Sequence, residues 1–222
     1  QTLVASTSYF LKEQLFVPSG VTLTIPAGTS IFASPALPGG VAPAIVIEQG
    51  ATIAAAGTAS SPITMTTVLA ESALASTVQV TSDTSSSTGS LALGETGKWG
   101  GLIILGSAPT SAASYSTNYI EGISGKPYGG TNPNDNSGTL QYVRVWHGGA
   151  IVGADNEING VTFGGVGSLT TVDHVEVAYN ADDGFEFFGG TVNVKYLSVL
   201  FGLDDSFDTD EGYQGKGQFL FT

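Results

Sequence analysis

Cysteine is absent from this 222-residue chain, so no disulfide framework holds it together and the redox compartment is left open. Basic residues are scarce as well: six Lys plus Arg stand against nineteen Asp plus Glu, for a formal charge of −13. A surface of that sign repels nucleic acid and anionic lipid and attracts cations, which argues against a nucleic-acid partner. No apolar run approaches the roughly 18 residues that a membrane span needs. Charged residues of both signs reach only 11% against 41% apolar, so the polar surface must come mainly from Ser, Thr, Asn and Gly. No Asn-x-Ser/Thr sequon occurs. Gln1 follows no initiator Met and no charged-then-apolar leader, and reads as a mature N-terminus left by signal removal. This balance suits a secreted protein. Helical periodicity is missing too, because 31 Gly and many β-branched residues interrupt almost every window.

Strand signals are dense instead. Val21-Thr22-Leu23-Thr24-Ile25 alternates apolar and polar, as do Ile45-Val46-Ile47-Glu48 and Ala51-Thr52-Ile53. Val143/Val145, Val175/Val177 and Leu197/Val199 continue the series, with 32 and then 22 positions between successive pairs. The clearest signal is a repeat. Asn180-Ala181-Asp182-Asp183-Gly184-Phe185-Glu186 returns 22 positions later as Gly202-Leu203-Asp204-Asp205-Ser206-Phe207-Asp208. Phe163-Gly164-Gly165 gives a shorter echo 25 positions before Phe188-Gly189-Gly190. Strand-like repeats of 20 to 30 residues mean a solenoid, each repeat one coil stacked on the last at roughly 4.8 Å. A β-sandwich also uses short strands and corners, but its strands do not repeat their turn sequences. The expected fold is all-β, a right-handed parallel β-helix of about seven or eight coils.

Gly pairs at 100–101, 148–149, 164–165 and 189–190 punctuate the coils, where tight corners require close backbone approach. Two stretches break the rhythm and read as surface excursions: the Ser/Thr-rich residues 68–97, and residues 107–137. No linker divides the chain, so residues 1–222 form a single domain in this reading.

Several segments carry a family resemblance. The opening Phe16-Val17-Pro18-Ser19-Gly20-Val21-Thr22-Leu23-Thr24-Ile25-Pro26-Ala27-Gly28-Thr29 is similar to a first coil of secreted β-helix proteins. Gly50-Ala51-Thr52-Ile53-Ala54-Ala55-Ala56-Gly57-Thr58 is similar to it too, Lys98-Trp99-Gly100-Gly101-Leu102-Ile103-Ile104-Leu105-Gly106 resembles the middle of such proteins, and Asp182-Asp183-Gly184-Phe185-Glu186-Phe187-Phe188-Gly189-Gly190 resembles their later coils. The chain thus resembles a group of bacterial cell-surface right-handed β-helix proteins in the pectate-lyase-like superfamily. The resemblance implies the fold and an extracellular place, and it assigns no enzyme activity. Members of that group usually run further, so the pattern is expected to break off midway at Gln218-Phe219-Leu220-Phe221-Thr222.

The acidic ladder is the main candidate for chemistry. Asp155 and Glu157 are placed in one coil, then Asp182, Asp183 and Glu186, then Asp204, Asp205, Asp208, Asp210 and Glu211. Like charges stacked at strand spacing raise one another's pKa or recruit a cation. Calcium takes 6–8 oxygens in flexible geometry, so Asp182, Asp183, Glu186, Asp204, Asp205, Asp208 and Asp210 form the candidate metal set. The plain alternative is that these residues cap turns and face water. Catalysis is a third reading: Asp182, Asp183, Asp204 and Asp205 would supply the paired carboxylates of a glycoside hydrolase or lyase. Against it, Arg144 is the only arginine, the five lysines are scattered, and His147 and His174 both precede the Asp pairs.

His147 reads as a hydrogen-bonded turn residue near a corner. Trp99 and Trp146, with Tyr128 and Tyr142, either stack on a glycan or cover the core. Phe185, Phe187, Phe188, Phe201 and Phe207 read as stacked core aromatics. Tyr9 to Phe16 is expected to cap the first coil, whereas the uncharged Gln218–Thr222 edge invites end-to-end self-association. The preferred function is a secreted, non-catalytic structural or adhesive module; the rivals are a polysaccharide-active enzyme and a glycan-binding module.

Overall fold

A computed structural model describes residues 1–36, 40–69, 95–153 and 156–222. In chain order its strands begin with β1 (Ser8–Leu11), β2 (Leu15–Val17), β3 (Thr22–Pro26), β4 (Ser30–Ala33), β5 (Ile45–Ile47) and β6 (Thr52–Ala56). Next come β7 (Ile63–Thr67), β8 (Leu102–Leu105), β9 (Gly138–Trp146), β10 (Ile151–Gly153), β11 (Asn156–Glu157) and β12 (Val161–Gly164). The last are β13 (Thr171–Ala178), β14 (Phe185–Phe188), β15 (Asn193–Leu200), β16 (Phe207–Asp210) and β17 (Gly217–Phe221).

One sheet runs β1-β4-β7-β9-β13-β15-β17, with β3 and β6 joining it through the first half of β9. The second runs β2-β5-β8-β12-β14-β16. Each pairing within these two sheets is parallel, and each coil adds one rung to both. The fold is therefore a parallel β-helix. Its wound core stacks like on like: Ile45, Leu102, Val161 and Phe185 succeed one another in register, all buried. Burial of such side chains, each about 1.5–3 kcal/mol, is what stabilises the coil stack.

Two aromatic columns rise inside. Phe163 stacks on Phe187 at 5.1 Å and Phe187 meets Tyr213 at 4.7 Å; Phe185 stacks on Phe207 at 5.6 Å. The register pairs Phe163 with Phe187, so the echo of Phe163-Gly164-Gly165 in Phe188-Gly189-Gly190 is one residue out of step with the pairing. Phe188 faces the other way, against Tyr128, and Phe201 is 67% exposed, which corrects the expectation that both belong to the core stack.

Two further columns lie outside and were not foreseen. Tyr142, His174, Tyr196 and Phe219 occupy matching positions in β9, β13, β15 and β17, each with positive φ (48°, 52°, 53° and 60°). Their rings stack at 4.4, 4.5 and 4.7 Å. His147, Tyr179 and Phe201 repeat the device at the next corner, stacking at 5.1 and 4.9 Å. A left-handed residue costs about 1–2 kcal/mol, and ring stacking offsets it.

β5 and β8 are buried on both faces, although a sheet facing water would alternate. Residues 106–137 explain this. They leave β8, pass through a 3-10 turn at Tyr115–Thr117, and lay Ile120, Ile123 and Tyr128 over Val46, Ile103 and Leu105 as a second core. Gln49 Nε2 fastens this strap by donating to the carbonyls of Gly106 (2.9 Å) and Gly129 (2.8 Å). Lys126 pairs with Glu48 at 2.7 Å. Most of the first excursion, residues 70–94, lies outside the described residues.

The N-terminal segment differs from the expected cap. Ser8–Leu11 and Leu15–Val17 are themselves the first rungs of the two sheets, and Thr2 bridges Thr24 beyond them.

Candidate functional site

The acidic site is built at the corners that lead into β14 and β16. Asn180, fully buried, donates from Nδ2 to the carbonyls of Asp182 (3.0 Å) and Asp183 (2.7 Å) and so shapes the first corner. Gly184 follows because a Cβ there would lie 2.6 Å from Val199 Cγ2 and 2.8 Å from the Ser206 carbonyl. The ladder continues through the turn: Gly160 N–H donates to the Asp183 carbonyl and Gly184 N–H to that of Asp205, both at 2.9 Å. Asp183 Oδ1 also accepts the Asp205 amide at 3.0 Å, so the repeated acidic turns do stack on each other.

A cavity of about 250 Å³ opens there, lined by Asn159, Asp182, Asp183, Glu186, Phe188 and Asp210, and by Ile120 and Glu121 of the strap. Two groups of carboxylates converge within 4.8 Å: Asp182, Asp183 and Asp204, and Asp183, Glu186 and Asp208. Asp183 is common to both. Glu186 and Asp208 are register partners on β14 and β16. Asp205 has an exposed side chain outside both groups and contributes its backbone amide instead. Asp210 lines the cavity but belongs to neither group, and its Oδ1 accepts the Glu211 amide at 2.7 Å. Asp208 Oδ1 likewise accepts the Thr209 amide at 2.8 Å, so some turn capping coexists with the clustering.

Of the earlier rung of the expected ladder, only Glu157 is among the described residues, and it lies off the main sheets. Asp155 lies outside the described residues, and Glu157 belongs to β11, which pairs antiparallel with β10. The register partner of Glu186 in the preceding coil is Thr162.

The electrostatics follow from crowding. Burial raises the Asp183 carboxyl to about 7, with Asp182 and Asp208 adding to the rise and the Asp205 amide opposing it. Burial likewise raises Glu186 to about 8, reinforced by Asp183 and opposed by Asn159. Asn159 is the member that sequence reasoning missed. Its side chain is 3% exposed, and its Nδ2 donates to Glu186 Oε2 and to Thr162 Oγ1. A signal existed: Asn159-Gly160 occupies the place in its coil that Asp183-Gly184 holds in the next.

The aromatic candidates divide. Trp99 is fully buried and donates from Nε1 to the Trp146 carbonyl at 2.8 Å, and Tyr128, on the strap, is buried against β5 and β8, so neither is presented to a glycan. Trp146 is half-buried and donates to Glu176 at 2.8 Å. His147 shares a 2.6 Å hydrogen bond with the Glu95 carbonyl, and burial holds its pKa below the ordinary value.

Stacked parallel rungs, a wound core and corner-borne polar residues define a parallel β-helix domain protein. A family model described as a pectate-lyase like beta helix domain matches residues 1–77 and 75–222, and the chain belongs to that family. Neither the curated proteins nor the solved structures give a match to it.

Proposed function

We propose that the chain is a secreted, non-catalytic β-helix module with a structural or adhesive role at the cell surface. The observation that carries this reading is the make-up of the acidic cavity. Its lining has no Lys, Arg or His among the described residues, so the base of a lyase is missing. One carboxylate oxygen from each of Asp183, Glu186 and Asp208 lies within 4.8 Å of the others, a spacing that suits cation binding. Asp183, central to the hydrolase rival, is occupied with the backbone of the next coil.

End-to-end association belongs to the same proposal. Among the described residues β16 and β17 are the last rungs of their sheets, and Phe219, Leu220 and Phe221 on β17 are exposed. β1 and β2 are the edges at the other end. Parallel edges of opposite ends pair heterologously and give filaments.

The test is a panel of neutral and acidic polysaccharides incubated with the chain. The expected result is no new reducing ends and no unsaturated products. Turnover that disappears in an Asp183→Asn, Glu186→Gln double variant would replace this reading with the enzyme. Light scattering across a concentration series tests the association, and a monomer at every concentration counts against it.

A further inference from the structure

We propose that the corners of three successive coils form a site for one hard divalent cation of the calcium class, held at the edge of the acidic cavity by Asn159 Oδ1, Asp183 and Glu186, which line it, and by the Asp208 carboxylate beside them. Three carboxylates within 4.8 Å of one another are the first observation, and acidic groups alone would not suffice. The second is independent. Asn159 is 3% exposed and lines the same cavity, and its Oδ1 meets no hydrogen-bond donor. Its amide nitrogen is already engaged by Glu186 and Thr162. A buried carbonyl oxygen without a donor is costly, and a cation held by neighbouring carboxylates is a partner that such an oxygen can take.

The donors also define the class of ion. All are oxygens, and no His is among the lining residues, which disfavours zinc and other borderline metals. A cavity of about 250 Å³ leaves room for waters to complete the coordination. Calcium accepts 6–8 oxygens in irregular geometry, whereas magnesium demands a near-ideal octahedron.

Asn159 precedes β12, Asp183 precedes β14, and Glu186 and Asp208 lie on β14 and β16. One ion would therefore tie three coils together where carboxylates otherwise repel. The group of Asp182, Asp183 and Asp204 shares Asp183 and includes an exposed member, so it adds negative charge beside the same ion. The inference stands apart from the proposed surface role.

The experiment is calorimetric titration of the chelator-stripped chain with calcium chloride, with melting curves recorded with and without the ion. Wild type is expected to bind one calcium per chain and to melt higher when loaded. Asn159→Ala should weaken binding by roughly 10- to 100-fold. Glu186→Gln and Asp208→Asn should weaken it more, whereas Glu13→Gln, away from the cavity, should bind like wild type. Glu186→Gln also checks folding: without calcium it should melt at or above wild type, since it relieves crowding, and in saturating calcium below it. The proposal is overturned by any of three results. These are no saturable binding up to roughly 10 mM, ten times the weakest ordinary extracellular sites; calcium affinity unchanged in Glu186→Gln and Asp208→Asn; or magnesium bound as tightly as calcium.

Discussion

Asp135, at the root of the strap, is a buried carboxylate surrounded by donors. Oδ1 accepts the Ser107 amide (3.1 Å) and hydroxyl (2.8 Å), and Oδ2 accepts the Ser137 hydroxyl (3.0 Å) and the Gly167 amide (3.3 Å). Asp183 and Glu186, on the acidic corners, face other carboxylates with one donor each: the Asp205 amide and the Asn159 side chain. The same functional group thus does opposite work in two parts of one coil stack. At the strap it gathers loose chain ends into a joint. At the corner it stores repulsion that a proton or a cation relieves. The lesson is that stacking in register multiplies whatever chemistry a corner carries. Carboxylates stacked this way repel, while the aromatic column from Tyr142 to Phe219 gains with every ring.

The contrast is broken most severely at the strap. Asp135→Ala leaves four donors without their acceptor, and denaturant unfolding should show a loss of about 3–5 kcal/mol. An unchanged midpoint would mean that the joint is not structural.

The aromatic column gives the next effect. His174→Ala removes two stacking contacts, each worth about 0.5–1.5 kcal/mol, so about 1–3 kcal/mol should be lost. His174→Gly loses the same contacts but relieves the positive φ of 52°, and should be the less damaging change. If the alanine variant is as stable as the glycine variant or more so, the backbone strain argument fails.

The smallest expected effect sharpens the acidic side. Carboxyls raised in the folded state stabilise it fully below their unfolded pKa, near 4, and that contribution is lost as pH rises through the folded values of about 7 and about 8. In chelator, the melting temperature should therefore fall between about pH 5 and pH 8.5. The Asp183→Asn, Glu186→Gln double variant should flatten that slope. A slope equal to wild type would place the pH dependence elsewhere in the chain.

Much of this architecture is legible along the chain. Val143, Val175 and Leu197 are inward and in register, as their spacing suggests, and the 22-residue repeat of Phe185-Glu186 in Phe207-Asp208 is a true pairing. The echo at Phe163 slips by one because a Gly pair marks a corner without fixing its length. The outer columns escape notice for another reason. A left-handed residue such as His174, between Asp173 and Val175, interrupts the alternation that a strand reading relies on. Leu102-Ile103-Ile104-Leu105 announces burial on both faces, yet nothing local says that Ile120, Ile123 and Tyr128 provide the cover.

The sequence by itself determined that this chain winds into stacked parallel coils with acidic turns toward its C-terminal end, because period and alternation are local properties written residue by residue. Only the tertiary structure decided which carboxylates meet, that Asn159 joins them, and that Asp205 stays exposed and outside both groups. The reason is physical: lateral register depends on the lengths of intervening corners and insertions, and it is fixed only when the coils close on one another and their hydrogen bonds form.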